Sequence, residues 1–318
     1  MNALTVASKD QFFEQLADAF AKKISKTEAK KISEFAKQHY AHIPLEELVS
    51  RRFADTYGAV LAAWQFLQKR SAEETPVAVF NPDLESDGWQ STHTVVFILH
   101  PNIPFLIDSL RIAINHREIG THSIQHSILQ VNRDQNGKLE KLHTSKKKAS
   151  GSDYEAFIVL EIDRHSNPED LRDLEDTLQN VLHEVRIAVS DFPVVTEKVN
   201  EILGELDNTT AGINEEQKEE ARAFLEWLAR DHFTFLGYDE YDFAKDKSGM
   251  VVRRVENSEL GILRVNNERP DRVRLNELPQ RTRHEMTRSD DIFIFAKSAQ
   301  RSRAVSYTHL TLPTKRIV

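Results

Sequence analysis

Apolar and polar positions alternate in clearly different periods along the chain, and the sharpest pattern lies between His93 and Asp163. His93-Thr-Val-Val-Phe-Ile-Leu99 is short and rich in β-branched residues, which predicts a strand. Leu106, Leu110, Ala113 and Ile114 recur at helical spacing, with Pro104 in the first turn and Gly120 just past the end, which predicts a helix. Thr121 to Val131 alternates with His122, Ile124, His126 and Ile128 on one face. Its phase then passes to Leu129 and Val131, which predicts a bulge. Beyond the turn signal Asp134-Gln-Asn-Gly137, Tyr154 to Ile162 reads as a strong strand. Asn167 and Pro168 open a helix with the stripe Leu171, Leu174, Leu178, Val181, Leu182 and Val185.

Helices precede this unit. Ser8 and Gln11 form a capping-box start before Phe13, Leu16, Phe20 and Ile24, and Ile32, Phe35, Ala36 and Tyr40 mark a second helix. A third follows Pro44, with one broad stripe from Leu45 to Leu67. Val77 to Phe80 is a short strand between Pro76 and Pro82, which confines it to an edge or an end. Thr94–Leu99 and Tyr154–Ile162 are apolar on both faces, so both faces of their sheet must be covered, by another sheet, the N-terminal helices or another subunit.

From Asp191 the pattern is helical again. Val195, Val199, Ile202, Leu203 and Leu206 lie on one helix, 207–212 is a linker, and Asn214 caps another helix carrying Ala221, Phe224, Leu225 and Leu228. Near residue 231 it turns β-rich, with strands expected over His232–Phe243, Met250–Val255 and Asp291–Ala296. Leu260 to Arg288 is polar and basic, with nothing in it to close a sheet.

Composition narrows the function classes. The 318 residues suffice for two or three units, and 40% apolar with 29% charged residues suits a soluble protein. A net charge of −8 opposes a nucleic-acid footprint, and the absence of cysteine excludes disulfides and thiolate chemistry. No signal-peptide pattern and no apolar run near the roughly 20 residues of a membrane helix is present, so the expectation is a cytoplasmic protein without membrane or nucleic-acid partners.

Candidate chemistry is sparse. His39 and His42 are one helical turn apart, but no third ligand is placed to complete a metal site. His122 and His126, four residues along a strand, stand about 13 Å apart and read as surface groups. Lys146, Lys147 and Lys148 read as a solvated loop. The glycines never approach a dinucleotide turn, and neither a Walker loop nor a nucleophile elbow is present. No catalytic, cofactor-binding or metal-binding residue is assigned.

Asn81-Pro-Asp, Gly88-Trp-Gln-Ser-Thr-His93, Pro104-Phe-Leu-Ile-Asp-Ser109, Leu160-Glu-Ile-Asp-Arg164, Val185-Arg-Ile-Ala-Val-Ser-Asp-Phe192, Phe224-Leu-Glu-Trp-Leu228, His232-Phe-Thr-Phe-Leu-Gly-Tyr238 and Phe295-Ala-Lys-Ser298 stand in order. Over residues 2–304 they resemble the N-terminal region of the large bacterial NAD-specific glutamate dehydrogenases. The resemblance implies a regulatory region of ACT-like domains, with the NAD-dependent core elsewhere in a homo-oligomeric enzyme that converts L-glutamate to 2-oxoglutarate and ammonia. It also implies partners in the rest of the polypeptide and in other subunits, an amino-acid effector as a candidate ligand, and no cofactor in this region.

The fold class expected is α+β: an N-terminal helical region (1–72), an ACT-like, ferredoxin-like βαββα sandwich (73–190), a helical connector (191–230) and the start of a second, β-rich ACT-like module (231–304). Val305 to Thr314 resembles the translation of a transposase adapter used for sequencing libraries, so 305–318 is expected to pack against nothing. ACT domains that bind amino acids resemble Asp-x-Pro-Gly-Leu at the first strand-to-helix turn, where backbone N–H groups meet the ligand. Asn102, Ile103, Pro104, Phe105 and Leu106 stand there, with Phe105 in place of the glycine. A helix, not a fourth strand, follows Asp191, which leaves an edge for Val77–Phe80. The competing reading is a free-standing ACT-type amino-acid sensor. An RNA-binding βαββαβ module is opposed by the acidic charge.

Overall fold

The computed structural model describes residues 7–145, 147–208, 215–232, 234–246, 249–265, 271–278, 280, 283, 294–297 and 307–311. The chain divides into two compact units, Met1–Leu182 and His183–Val318.

In the first unit, α1 (Lys9–Ala21) and α2 (Lys26–His39) start on serine caps, Ser8 accepting from Gln11 N and Ser25 from Glu28 N, each at 3.3 Å. The single helix expected over 45–67 is two, α3 (Leu45–Ser50) and α4 (Phe53–Phe66). Arg51 and Arg52 between them are extended, with ψ of 149° and 130°. The apolar stripe runs on through the break, and the Arg51 guanidinium lies 2.8 Å from Glu161 on the sheet, a tertiary contact that local spacing does not encode.

The sheet comprises β1 (Val77–Phe80), β2 (Thr94–Pro101), then after α5 (Leu106–His116) β3 (Thr121–Arg133), β4 (Leu139–His143) and β5 (Asp153–Ile162). Its order is β1-β2-β5-β3-β4, antiparallel throughout, with Val79 opposite Val96. The proline-bracketed strand thus takes the edge beside β2.

Both faces of the central strands are covered. Val95, Phe97, Leu99, Leu129, Val131 and Phe157 share one core with Phe12, Leu16, Phe20, Ile32, Phe35 and Trp64 of the helical layer. The Phe157 ring lies 5.6 Å from Phe97 and 5.8 Å from Phe35, both edge-to-face. The alternate set, Val96, Ile98, Ile158 and Leu160, is equally buried. Within this unit α5 and the start of α6 (Pro168–Asn208) remain to cover it, through buried Leu106, Leu110, Ile114, Leu174, Leu178 and Leu182. Glu175 on α6 accepts from Val79 N at 3.2 Å.

Two local expectations are corrected. The bulge predicted near Leu129 is absent: Ser123 to Val131 pairs with β5 without a break, and the irregularities lie at Thr121/Ser123 and Asn132/Arg133. The pattern misled because Gln125 and Ser127 are polar yet face the core with Leu129 and Val131, whereas Ile128 on the other face is 54% exposed. Helix α5 ends at His116, and the left-handed residue after it is Glu118 (φ 57°), not Gly120. Gly120 serves a close approach, since its N–H donates to Asp163 Oδ2 at 2.7 Å and an added Cβ would sit 2.6 Å from that oxygen.

In the second unit the two expected helices around Asp191 are one, because α6 runs through Pro193 to Asn208. A proline inside a helix removes one backbone hydrogen bond. The buried stripe Val195, Val199, Ile202 and Leu206, packed with Ala221, Leu225 and Leu228, holds the helix together across it. Helix α7 (Glu215–Trp227) ends in a π-helical turn, Leu228–His232, so His232 is not on a strand. The strand expected over 232–243 is split into β6 (Gly237–Tyr238) and β7 (Tyr241–Asp246) at buried Asp239, whose carboxylate accepts from Glu240 N, Tyr241 Oη and Ser258 Oγ at 3.0, 2.6 and 3.1 Å.

Strand β8 (Gly249–Arg254) pairs with β7, β9 (Leu260–Gly261) pairs with β6 and leads into α8 (Ile262–Val265), and β10 (Arg272–Arg274) adds to β8. The stretch 260–288 therefore contributes to both sheets, contrary to expectation. Strand β11 (Ile294–Lys297) pairs with β12 (Tyr307–Thr311), Phe295 opposite Leu310, so 307–311 of the stretch expected to pack against nothing lies in a ladder, and the rest of 305–318 lies outside the described residues. Residues 291–293 of the expected strand lie outside the described residues.

Candidate functional site

The strand-to-helix turn sits between the last residue of β2, Pro101, and the first of α5, Leu106. Asn102 N donates to Tyr154 O at 2.9 Å, which ties the turn to β5 and occupies a backbone donor of the kind a ligand would need. Asn102 and Pro104 are exposed, Ile103 is half-buried, and Leu106 is in the core. Phe105 adopts φ 69°, ψ 4°, the left-handed region in which glycine is at ease and a residue with a Cβ is strained. It is the N-cap of α5 without a side-chain cap bond, and it is 37% exposed. The turn thus keeps a glycine's backbone shape while carrying a ring. Behind it the His100 imidazole is buried, Nδ1 lying 2.8 Å from Pro101 O.

The histidine pairs do not converge. His39 is buried against the sheet while His42 is exposed. His122 Nε2 meets Asp163 Oδ1 at 2.8 Å, and its ring lies 4.1 Å from that of His93. The Gly120 N–H first, and then His122, hold the Asp163 carboxyl below its ordinary range. Burial lowers His126. Among the described residues no group of three or more His, Asp or Glu side chains is arranged to hold a metal ion. Lys148 Nζ lies over the Tyr154 ring at 5.9 Å, and Lys146 lies outside the described residues.

Three polar constellations escaped the sequence reading. Glu155, 1% exposed on β5, accepts from Arg70 Nε at 3.0 Å and from Arg133 Nε and Nη2 at 2.7 Å each. β5 carries three carboxylates, Asp153, Glu155 and Glu161, so the sequence held no signal that singled out Glu155. Asn81 donates to His165 O at 2.7 Å and accepts from Thr94 Oγ1 at 2.8 Å, while His165 N donates to Thr94 Oγ1 at 2.9 Å, fastening the start of the β5–α6 link to β1 and β2. The third joins His39 to Gln125 and Ser127, and no local signal marks it.

Residues 35–178, which hold the whole sheet, α5 and the start of α6, match the model of a family described as "Glutamate dehydrogenase, ACT1 domain". This part of the chain is an ACT-like α+β domain similar to that family. The match begins within α2, so α3 and α4 and part of α2 lie inside it with the sheet they cover. The chain as a whole is similar to the NAD-specific glutamate dehydrogenase of Halomonas elongata, 39% identical over 291 residues, which is 91% of this chain and 18% of that protein. It is also similar to the NAD-specific glutamate dehydrogenase of Pseudomonas aeruginosa, 38% identical over 265 residues, 83% of this chain and 16% of that protein. The chain therefore spans less than a fifth of the length of these relatives. No helix among the described residues is long and apolar enough to cross a membrane.

Proposed function

We propose that this chain is the N-terminal regulatory and assembly region of a cytoplasmic NAD-specific glutamate dehydrogenase. In this reading the complete, homo-oligomeric enzyme oxidises L-glutamate with NAD and water to 2-oxoglutarate, ammonia and NADH, and the NAD site lies in a part of that protein beyond this chain. The observation that carries it is a match to the ACT1-domain family inside a chain that aligns over nine-tenths of its length with a protein so named. Residues 231–304 are read as the start of a second ACT-like module, and 305–318 as adapter-derived.

Within the ACT-like domain we assign the turn Asn102–Leu106 to architecture. Its Asn102 N–H is spent on Tyr154, and Phe105 holds the place where a glycine would let a ligand reach the backbone. The second reading, a free-standing amino-acid sensor, draws on the same turn, where Asn102, Pro104 and Leu106 fit the ligand-binding pattern. Sequencing the source genome across residue 304 separates the two. An open frame continuing into a dehydrogenase region supports the first, and a stop codon there supports the second.

A further inference from the structure

The face that β3 turns toward the helical layer is apolar at Leu129 and Val131 but polar at Gln125 and Ser127, and all four are buried. Opposite lies the C-terminal end of α2, where His39 Nδ1 is 2.8 Å from Ser127 Oγ, and where the neighbouring Gln125 side chain favours the protonated ring against the larger opposing effect of burial. The imidazole is otherwise enclosed by aromatic rings: Phe35 stacks on it at 5.5 Å, Tyr40 lies at 4.8 Å and Phe157 at 5.2 Å. None of the bonds holding the ring comes from a carboxylate, so this enclosure suits the neutral imidazole and opposes the imidazolium.

Other charged or titratable groups about this seam stand to one side. They are Tyr40 at the C-cap of α2, Arg51 at the α3–α4 break with Glu47 on α3, and Glu161 on β5, paired with Arg51. Burial first, and the Arg51 charge second, hold His39 down at about 3. Tyr40 is pushed up by burial to about 12 and stays neutral across the working range.

We propose that the His39–Ser127–Gln125 seam is an acid-released latch that lets the C-terminal end of α2 come away from β3 while the rest of the sheet stays closed. In the docked state the ring is neutral. Once α2 lifts, the ring meets water and takes up a proton from solvent, which stabilises the open state. With an open-state value near the ordinary 6.5, the docked preference is full above about pH 6.5 and declines as the pH falls from there toward 3. At pH 5.5 the open state gains about tenfold in population over its value at high pH. The inference concerns the fold alone and stands whatever becomes of the dehydrogenase reading.

Hydrogen exchange on the 318-residue chain, followed by mass spectrometry at pH 7.5 and 5.5 and corrected for intrinsic exchange, reads the latch directly. The peptides to follow cover 35–43 and 123–131. The expected result is a roughly tenfold rise in opening of these peptides at the lower pH, with those of β2 and of 156–162 unchanged. In H39Q the rise disappears, and in S127A, which leaves the buried imidazole in place, it persists. Equal opening at both pH values, a rise spread evenly over β2 and β5, or a rise that survives in H39Q would each overturn the proposal. Should H39Q fail to fold, the wild-type and S127A profiles still decide, because a pH-independent profile in either contradicts the latch.

Discussion

Replacing Glu155 by glutamine is the most demanding test of how the ACT-like sheet is tied to its helical layer. The carboxylate is 1% exposed and faces two guanidiniums whose side chains are each 9% exposed. It joins the residues after α4, through Arg70, to the end of β3, through Arg133. Arg133 also donates to Leu67 O at 3.1 Å and Gly137 O at 2.9 Å. With the carboxylate in place the cluster carries one net positive charge; with glutamine it carries two, and an amide N–H faces donors. Removing one partner of a buried ion pair costs about 3–5 kcal/mol, mostly because the remaining charge is stranded. For a unit of this size that lowers the midpoint by roughly 6–20 °C. The assay is urea unfolding followed by tryptophan fluorescence in a W227F background, so that Trp64 and Trp89 report the first unit. A triple replacement, R70M/E155L/R133M, removes the charges together and should stay within about 1 kcal/mol of wild type. A loss below about 1 kcal/mol for E155Q would refute the reasoning, because the guanidiniums would then be finding other partners or water.

Other consequences are more local. G58A should cost about 1–3 kcal/mol in the same unfolding assay, since a Cβ there would stand 2.5 Å from Trp89 Cβ in a packed core. G120A should push the Asp163 carboxylate off the Gly120 N–H and His122, and adding D163A to it should cause no further loss, which a double-mutant cycle reads. Because its native interactions hold the Asp163 carboxyl low, the stability it contributes is present above the ordinary carboxylate range and is lost as the pH falls through its folded value. D163N should remove that acid limb, as seen in unfolding at a series of pH values.

The sequence was most informative where one kind of force decides the outcome. Strands apolar on both faces predicted a sheet covered on both sides, and the prolines around Val77–Phe80 predicted an edge or an end. Both follow from burial and from missing backbone donors. The α3–α4 break was not legible, since the stripe from Leu45 to Leu67 is continuous and the interruption belongs to Arg51 reaching Glu161 across the fold. The misplaced bulge has the same origin: Gln125 and Ser127 look like surface positions until His39 is brought to them by chain 88 residues away. Gly120 looked like a helix cap, and only the return of β5 beside it shows the close approach that it allows. At the turn, the glycine position was legible from the resemblance alone. That a phenylalanine would keep the left-handed backbone there was not, because bulky residues normally avoid it.

In the proposed reading the turn Asn102–Leu106 of the ACT-like domain serves architecture and holds no amino acid. Isothermal titration calorimetry of the 318-residue chain with a panel of amino acids, L-glutamate included, tests it most directly. No saturable heat is expected with any of them. A saturable heat with one amino acid, lost in N102A, would contradict it and make the turn a ligand site after all.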